Sequence, residues 1–111
     1  MFKKLLAVAF TIFAVVSLSF ASPALAGDVD SGKNVFSANC AACHAGGNNV
    51  INAAKNLKQD TLKQYDMYSL EAIQYQVNNG KNAMPAFKGR LSDAQIEDVA
   101  TYVLAQADSG W

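Results

Sequence analysis

Residues 39–44 read NCAACH, and the meaning of this hexapeptide decides how the rest of the chain must fold. The only two cysteines, Cys40 and Cys43, and the only histidine, His44, fall within five positions. Three chemistries use such a cluster. A redox-active C-x-x-C disulfide is expected inside a βαβ unit. A structural zinc site needs four ligands, and the chain has no second Cys or His pair to complete one. The third is covalent haem attachment through C-x-x-C-H. Two thiols three residues apart reach the two vinyl edges of a porphyrin, and the adjacent imidazole reaches the iron at its centre. Only this reading leaves no donor over and lacks none, so the chain is expected to hold one covalently attached haem c through Cys40 and Cys43, with His44 as an axial ligand.

The segment before this cluster has a different character. Lys3 and Lys4 are followed by LLAVAFTIFAVVSLSF, which carries no charge, and then by SPALA and Gly27. A basic start, an apolar run of 16 residues and an A-x-A site make a cleaved secretory signal over residues 1–26. The run is short of the roughly 20 residues a spanning helix needs, so no membrane anchor is expected after cleavage. The remaining residues, 27–111, form one small domain. With Lys3 and Lys4 gone, seven basic residues face nine acidic ones, a net charge of −2. No basic stripe is left to bind nucleic acid.

The mature stretch reads as all-α. DVDSGKNVFSANCAACH opens as a helix capped by Asp30 or Ser31, with Gly32 and Phe36 on one face. A glycine inside a helix costs about 1 kcal/mol against alanine, which points to a second helix crossing closely there. LSDAQIEDVATYVLAQA is the clearest helix. Ser92 and Gln95 form a capping box, and Leu91 with Ile96 a hydrophobic staple. Ile96, Val99, Ala100, Val103, Leu104 and Ala107 make one apolar stripe, with Asp93, Glu97 and Asp98 on the wet face. Shorter helices are expected at 60–66, capped by Asp60, and at 69–80, capped by Ser69 and stopped by Asn79-Gly80, with Leu70, Ile73 and Val77 inward. Residues 44–58 and 81–90 read as loops.

With the one histidine used, the opposite face of the iron can be held by a methionine, by a lysine or by nothing. Met67 and Met84 are the methionines of the mature stretch. Met67, at a helix junction, reads as core filler. Met84 lies in a loop, 40 residues after His44, and Pro85 restricts its backbone. Met84 is therefore the expected second axial ligand. With both positions held by protein and a soft thioether favouring the reduced iron, the chain is expected to pass electrons rather than catalyse.

The runs NVFSANCAACHAGGNNVI and QVNNGKNAMPAFKGRLSDAQIEDVATYV, with a terminal GW, resemble class I c-type cytochromes, and more closely the photosynthetic cytochrome c6 family. The resemblance implies a small all-α fold of about four helices around one haem, with first and last helices crossing near Gly32, Phe36 and Tyr102. It implies Cys40 and Cys43 as attachment residues and His44 and Met84 as axial ligands. It further suggests that Gln76 tunes the haem potential and that Arg90 helps dock the electron acceptor. Read as residues alone, Gln76 is equally an ordinary helix-surface amide and Arg90 a solvated cation. The family's role implies a soluble monomer in the thylakoid lumen, taking electrons from the cytochrome b6-f complex and giving them to photosystem I or a terminal oxidase. Three rivals stand beside it. One is a respiratory periplasmic cytochrome c donating to a terminal oxidase. Another is a haem sensor or peroxidase-like enzyme, and the third a haem-free disulfide protein.

Overall fold

The first helix starts where Asp28, in an extended conformation, turns its carboxylate back onto the N–H groups of Asp30 and Ser31, at 2.8 and 3.1 Å. In the computed structural model, which describes residues 27–111, this helix is α1, Val29–Asn39. The signal expected at residues 1–26 lies outside the described residues. Asp28, not Asp30 or Ser31, is therefore the cap. Three nearby side chains, Asp28, Asp30 and Ser31, could have served, and the one at the extended residue does. Cys40 interrupts the helix, and a single further turn, α2 (Ala41–His44), follows. Two 3₁₀ turns, Ala45–Gly47 and Ala53–Lys55, lie in the stretch read as loop.

Helix α3 covers Gln59–Gln64. It begins a residue or two earlier than expected, with Lys58 at the cap position and Asp60 within its first turn. Lys58 offers no capping side-chain bond; its own N–H is held by Asn56 Oδ1 at 3.0 Å. Helix α4, Leu70–Asn79, has the expected Ser69 cap and ends at Gly80. Helix α5, Asp93–Ser109, carries the full capping box: Ser92 Oγ accepts from Gln95 N–H, and Gln95 Oε1 accepts from Ser92 N–H. Among the described residues no strand forms; two isolated bridges, Lys81 to Met84 and Lys88 to Leu91, close tight turns. No described helix is long and apolar enough to cross a membrane.

The core is organised on α5. Ile96, Val99 and Ala100 are at most 1 % exposed, and Val103 and Ala107 complete the stripe, with Leu104 half-buried beside it. Helix α1 crosses α5 at Gly32. A Cβ there would stand 2.0 Å from the Asp98 carbonyl oxygen and 2.8 Å from Tyr102 Cβ, so the close crossing is what requires glycine. Beside it Phe36 packs on Tyr102, ring centroids 5.3 Å apart, and on Trp111 at 5.4 Å. Trp111 Nε1 donates to the Leu57 carbonyl at 2.9 Å, which ties the chain end to the middle loop. The expected wet face of α5 is only partly wet. Asp93 is exposed, but Glu97 and Asp98 are half-buried because the start of the described chain lies over them.

Candidate functional site

A cleft of about 340 Å³ opens between α1–α2 on one side and the segment after α4 on the other. Its polar donors include Cys40, Cys43, His44, Gln76 and Met84. Its walls are largely apolar, with Phe36, Leu62, Ile73, Val77, Phe87 and Val103 prominent.

The α2 side is set by one helical turn. Cys40 N–H still bonds to Phe36 O at 2.8 Å, and Cys43 and His44 N–H both return to Cys40 O, at 3.2 and 2.9 Å. That turn brings the two thiols and the imidazole to the same wall. The two cysteines are not bonded to each other. Burial pushes the Cys40 thiol up to about 11, so it stays protonated at neutral pH; a thioether made there carries no ionisable proton. After His44 the chain reverses at Gly46 and Gly47, both at positive φ, and Gly47 lies under the Trp111 ring, where a Cβ would come within 2.6 Å. The reversal places the Asn48 carbonyl 2.9 Å from His44 Nδ1. A carbonyl only accepts, so Nδ1 carries the proton and the Nε2 lone pair is left free for a metal.

On the opposite side Met84 is held by backbone. Lys81 N–H donates to Met84 O at 3.0 Å and Met84 N–H to Lys81 O at 2.9 Å, closing a two-residue turn with Asn82 at φ 53°. Phe87 and Lys88 N–H return to Val77 O and Asn78 O, at 2.9 and 3.2 Å, pinning the segment to the end of α4. Gln76 Nε2 lies 3.4 Å from Met84 Sδ and donates to it. Met67, read as core filler, is half-buried and also lines the cleft. Arg90 is exposed outside it, its guanidinium 5.0 Å from the centre of the Phe87 ring.

The structure thus brings Cys40, Cys43, His44, Gln76 and Met84 to one cleft and leaves Arg90 on the surface beside it. Gly80 was read from sequence only as a helix stop, yet a Cβ on it would meet Met84 O at 2.6 Å and Ala86 N at 2.8 Å. The asparagine turns under His44 were also missed. Asn49 Oδ1 accepts from Ile51 and Asn52 N–H, at 3.1 and 3.0 Å, and Asn52 Oδ1 from Ala54 N–H at 3.3 Å. The spacing of Asn49, Asn52 and Asn56 was the available signal, since asparagine side chains mimic backbone turns.

These residues fit a covalent haem. Among the described residues no cluster of three His, Cys, Asp or Glu side chains could hold a bare metal ion. A porphyrin brings four nitrogens of its own, and what it needs from protein is two thiols, axial donors and apolar walls.

The chain matches a protein-family model described as "Cytochrome C oxidase, cbb3-type, subunit III" over residues 27–103. It is 59 % identical to cytochrome c6 of Pyropia yezoensis over 109 residues, covering 98 % of this chain and 99 % of that protein. Cytochrome c6 of a Nostoc strain is 57 % identical, with 98 % of both chains covered. The crystal structure of cytochrome c6 from the diatom Phaeodactylum tricornutum superposes with a TM-score of 0.75 at 56 % identity, over 77 % of this chain and all of that one. Likeness over nearly the whole length and a cleft built for a tethered porphyrin agree, and the chain belongs to the cytochrome c6 family, single-haem c-type cytochromes that carry electrons and are not enzymes.

Proposed function

We propose that this electron carrier holds its iron between His44 and Met84 and moves electrons from the cytochrome b6-f complex to photosystem I in the thylakoid lumen, after removal of residues 1–26. When bound, the haem supplies a one-electron iron couple. Cys40 and Cys43 tether it through thioether bonds. His44, its Nδ1 proton committed to the Asn48 carbonyl, offers Nε2 in a fixed orientation. Met84 offers a soft sulfur that favours the reduced state. The Gln76 amide draws density from that sulfur and so tunes the couple. The apolar walls keep water from the cleft. Arg90, exposed beside Phe87, is assigned to docking the acceptor.

The observation that carries this reading is that an oriented imidazole and a backbone-clamped thioether line the same cleft. A terminal oxidase is proposed as a second acceptor, on the resemblance alone. The test is a visible absorption spectrum of the mature protein, made in a host that attaches haem, recorded reduced and again under carbon monoxide. A c-type spectrum unmoved by carbon monoxide supports two held axial sites, and Met84→Ala should then make it respond. A wild-type spectrum that shifts would remove Met84 as a firm ligand and return sensing or catalysis to consideration.

A further inference from the structure

We propose that the α-amino group created at Gly27 forms an ion pair with Asp98, a contact that exists only in the processed chain and fastens α1 to α5. The inference rests on cleavage after Ala26, as read above. Gly27 is pressed against α5. A Cβ on it would lie 2.8 Å from Thr101 Oγ1, 2.9 Å from Asp98 Oδ1 and 2.9 Å from the Glu97 carbonyl oxygen. Crowding against α5 therefore leaves no room for a side chain here.

The next residue uses the same carboxylate: Asp28 N–H donates to Asp98 Oδ1 at 2.8 Å. A carboxylate has about four acceptor positions, and this bond takes one. The Gly27 nitrogen is one bond from the same crowded Cα. In the unprocessed chain it is a neutral amide that must lead onward to Ala26. As a chain end it becomes an ammonium with three donors and free rotation.

The field at this end of the crossing favours a cation. Asp28 and Asp30 stand at the start of α1, and Glu97 and Asp98 on α5. Thr101 is uncharged, and its hydroxyl donates to Glu97 O at 2.8 Å. The nearest cation along the chain is Lys33, a turn into α1. The positive end of the α1 dipole opposes an ammonium, and the carboxylates outweigh it in number and charge.

The pair has a defined pH signature. A free α-amino group titrates at about 7.7–8.0. A partner carboxylate raises that value in the folded state. The stabilisation is then fully present below about pH 8 and is lost as pH climbs through the raised value. Helix α1 begins just after Gly27 and ends just before Cys40, so processing and haem attachment complete the same helix from its two ends.

The test uses the exported holoprotein. Its first residue is established by intact mass and terminal sequencing, and the Gly27 α-protons are then titrated by NMR. The wild type should titrate above the free range, and Asp98→Asn, which keeps an acceptor for Asp28 N–H, should return Gly27 to it. A form whose Gly27 amine is acetylated should show a smaller alkaline decline in melting temperature than the wild type. A Gly27 that titrates within or below the free range, or equally in Asp98→Asn, overturns the pair and leaves cleavage standing. A first residue other than Gly27 overturns both.

Discussion

Replacing Gly80 with alanine should release Met84 before it unfolds the protein. Gly80 sits at φ 69°, ψ 176°, a region that only glycine occupies freely, at a cost of about 1–3 kcal/mol for other residues. The added methyl would also stand 2.6 Å from Met84 O and 2.8 Å from both Ala86 N and the Pro85 carbonyl carbon. These are backbone atoms, so no side chain can swing aside, and such overpacking costs about 1–3 kcal/mol. Alanine recovers about 0.4–1 kcal/mol by stiffening the unfolded chain. The net is a penalty of roughly 1–6 kcal/mol. The strain is relieved most cheaply by moving residues 84–86, which are exposed or half-buried, rather than α4, which is fixed by buried Ile73 and Val77. The ferric holoprotein should therefore lose its near-infrared methionine-to-iron charge-transfer band, and the reduced protein should bind carbon monoxide. The melting temperature should fall by about 4 °C or more, at 4–8 °C per kcal/mol for a domain this small. A variant that keeps the band, ignores carbon monoxide and melts within about 3 °C of wild type would refute the claim that Gly80 positions Met84.

Three further outcomes are expected. Gly32→Ala gains about 1 kcal/mol of helix propensity but sets a methyl 2.0 Å from the Asp98 carbonyl oxygen; thermal melts should show a net loss of roughly 2 kcal/mol, with the visible spectrum intact. Gln76→Val removes the donor to Met84 Sδ. The sulfur then donates more strongly to ferric iron, and potentiometry should find a reduction potential lower by the order of 20–60 mV, the one-electron equivalent of a net hydrogen bond of about 0.5–1.5 kcal/mol. Arg90→Glu should leave fold and spectrum unchanged but slow electron transfer to photosystem I at low ionic strength, with the defect shrinking as salt is added.

The helices and their inward faces were legible because α5 and α4 carry strict apolar spacing and Ser92, Gln95 and Ser69 are strong caps. The crossing at Gly32 was legible because glycine inside a helix has a cost that packing must offset. What stayed hidden depended on partners far along the chain. The tilt of Asp98 out of the wet face is caused by Gly27 and Asp28, about seventy residues earlier. The service of Gly80 to Met84 needs the fold of the 81–87 turn, with Asn82 in a left-handed conformation, which no periodicity reports. The asparagine turns after His44 lack a period altogether, and a stretch without one reads as loop even when side chains close it into 3₁₀ turns. At the site itself the residue types gave the chemistry, while the tautomer of His44 came only from the Asn48 carbonyl.

The two faces of the cleft are secured by different means, and this asymmetry orders how the site should fail. On the His44 side, the proposed ligand and both proposed attachment thiols share one helical turn that continues from α1, and α1 is locked across α5 at Gly32 and under Trp111 by Phe36. With thioether bonds at Cys40 and Cys43, as proposed, His44 would stay tethered beside the iron and rebind readily after any opening. On the Met84 side the proposed ligand hangs on a two-residue turn, two hydrogen bonds back to α4, and the donor from Gln76. Each of these is worth about 0.5–1.5 kcal/mol net, so local opening there costs a few kcal/mol while the core stays folded. Heat, denaturant or a competing ligand should therefore open the methionine side first, and residues 76–88 set how readily that happens.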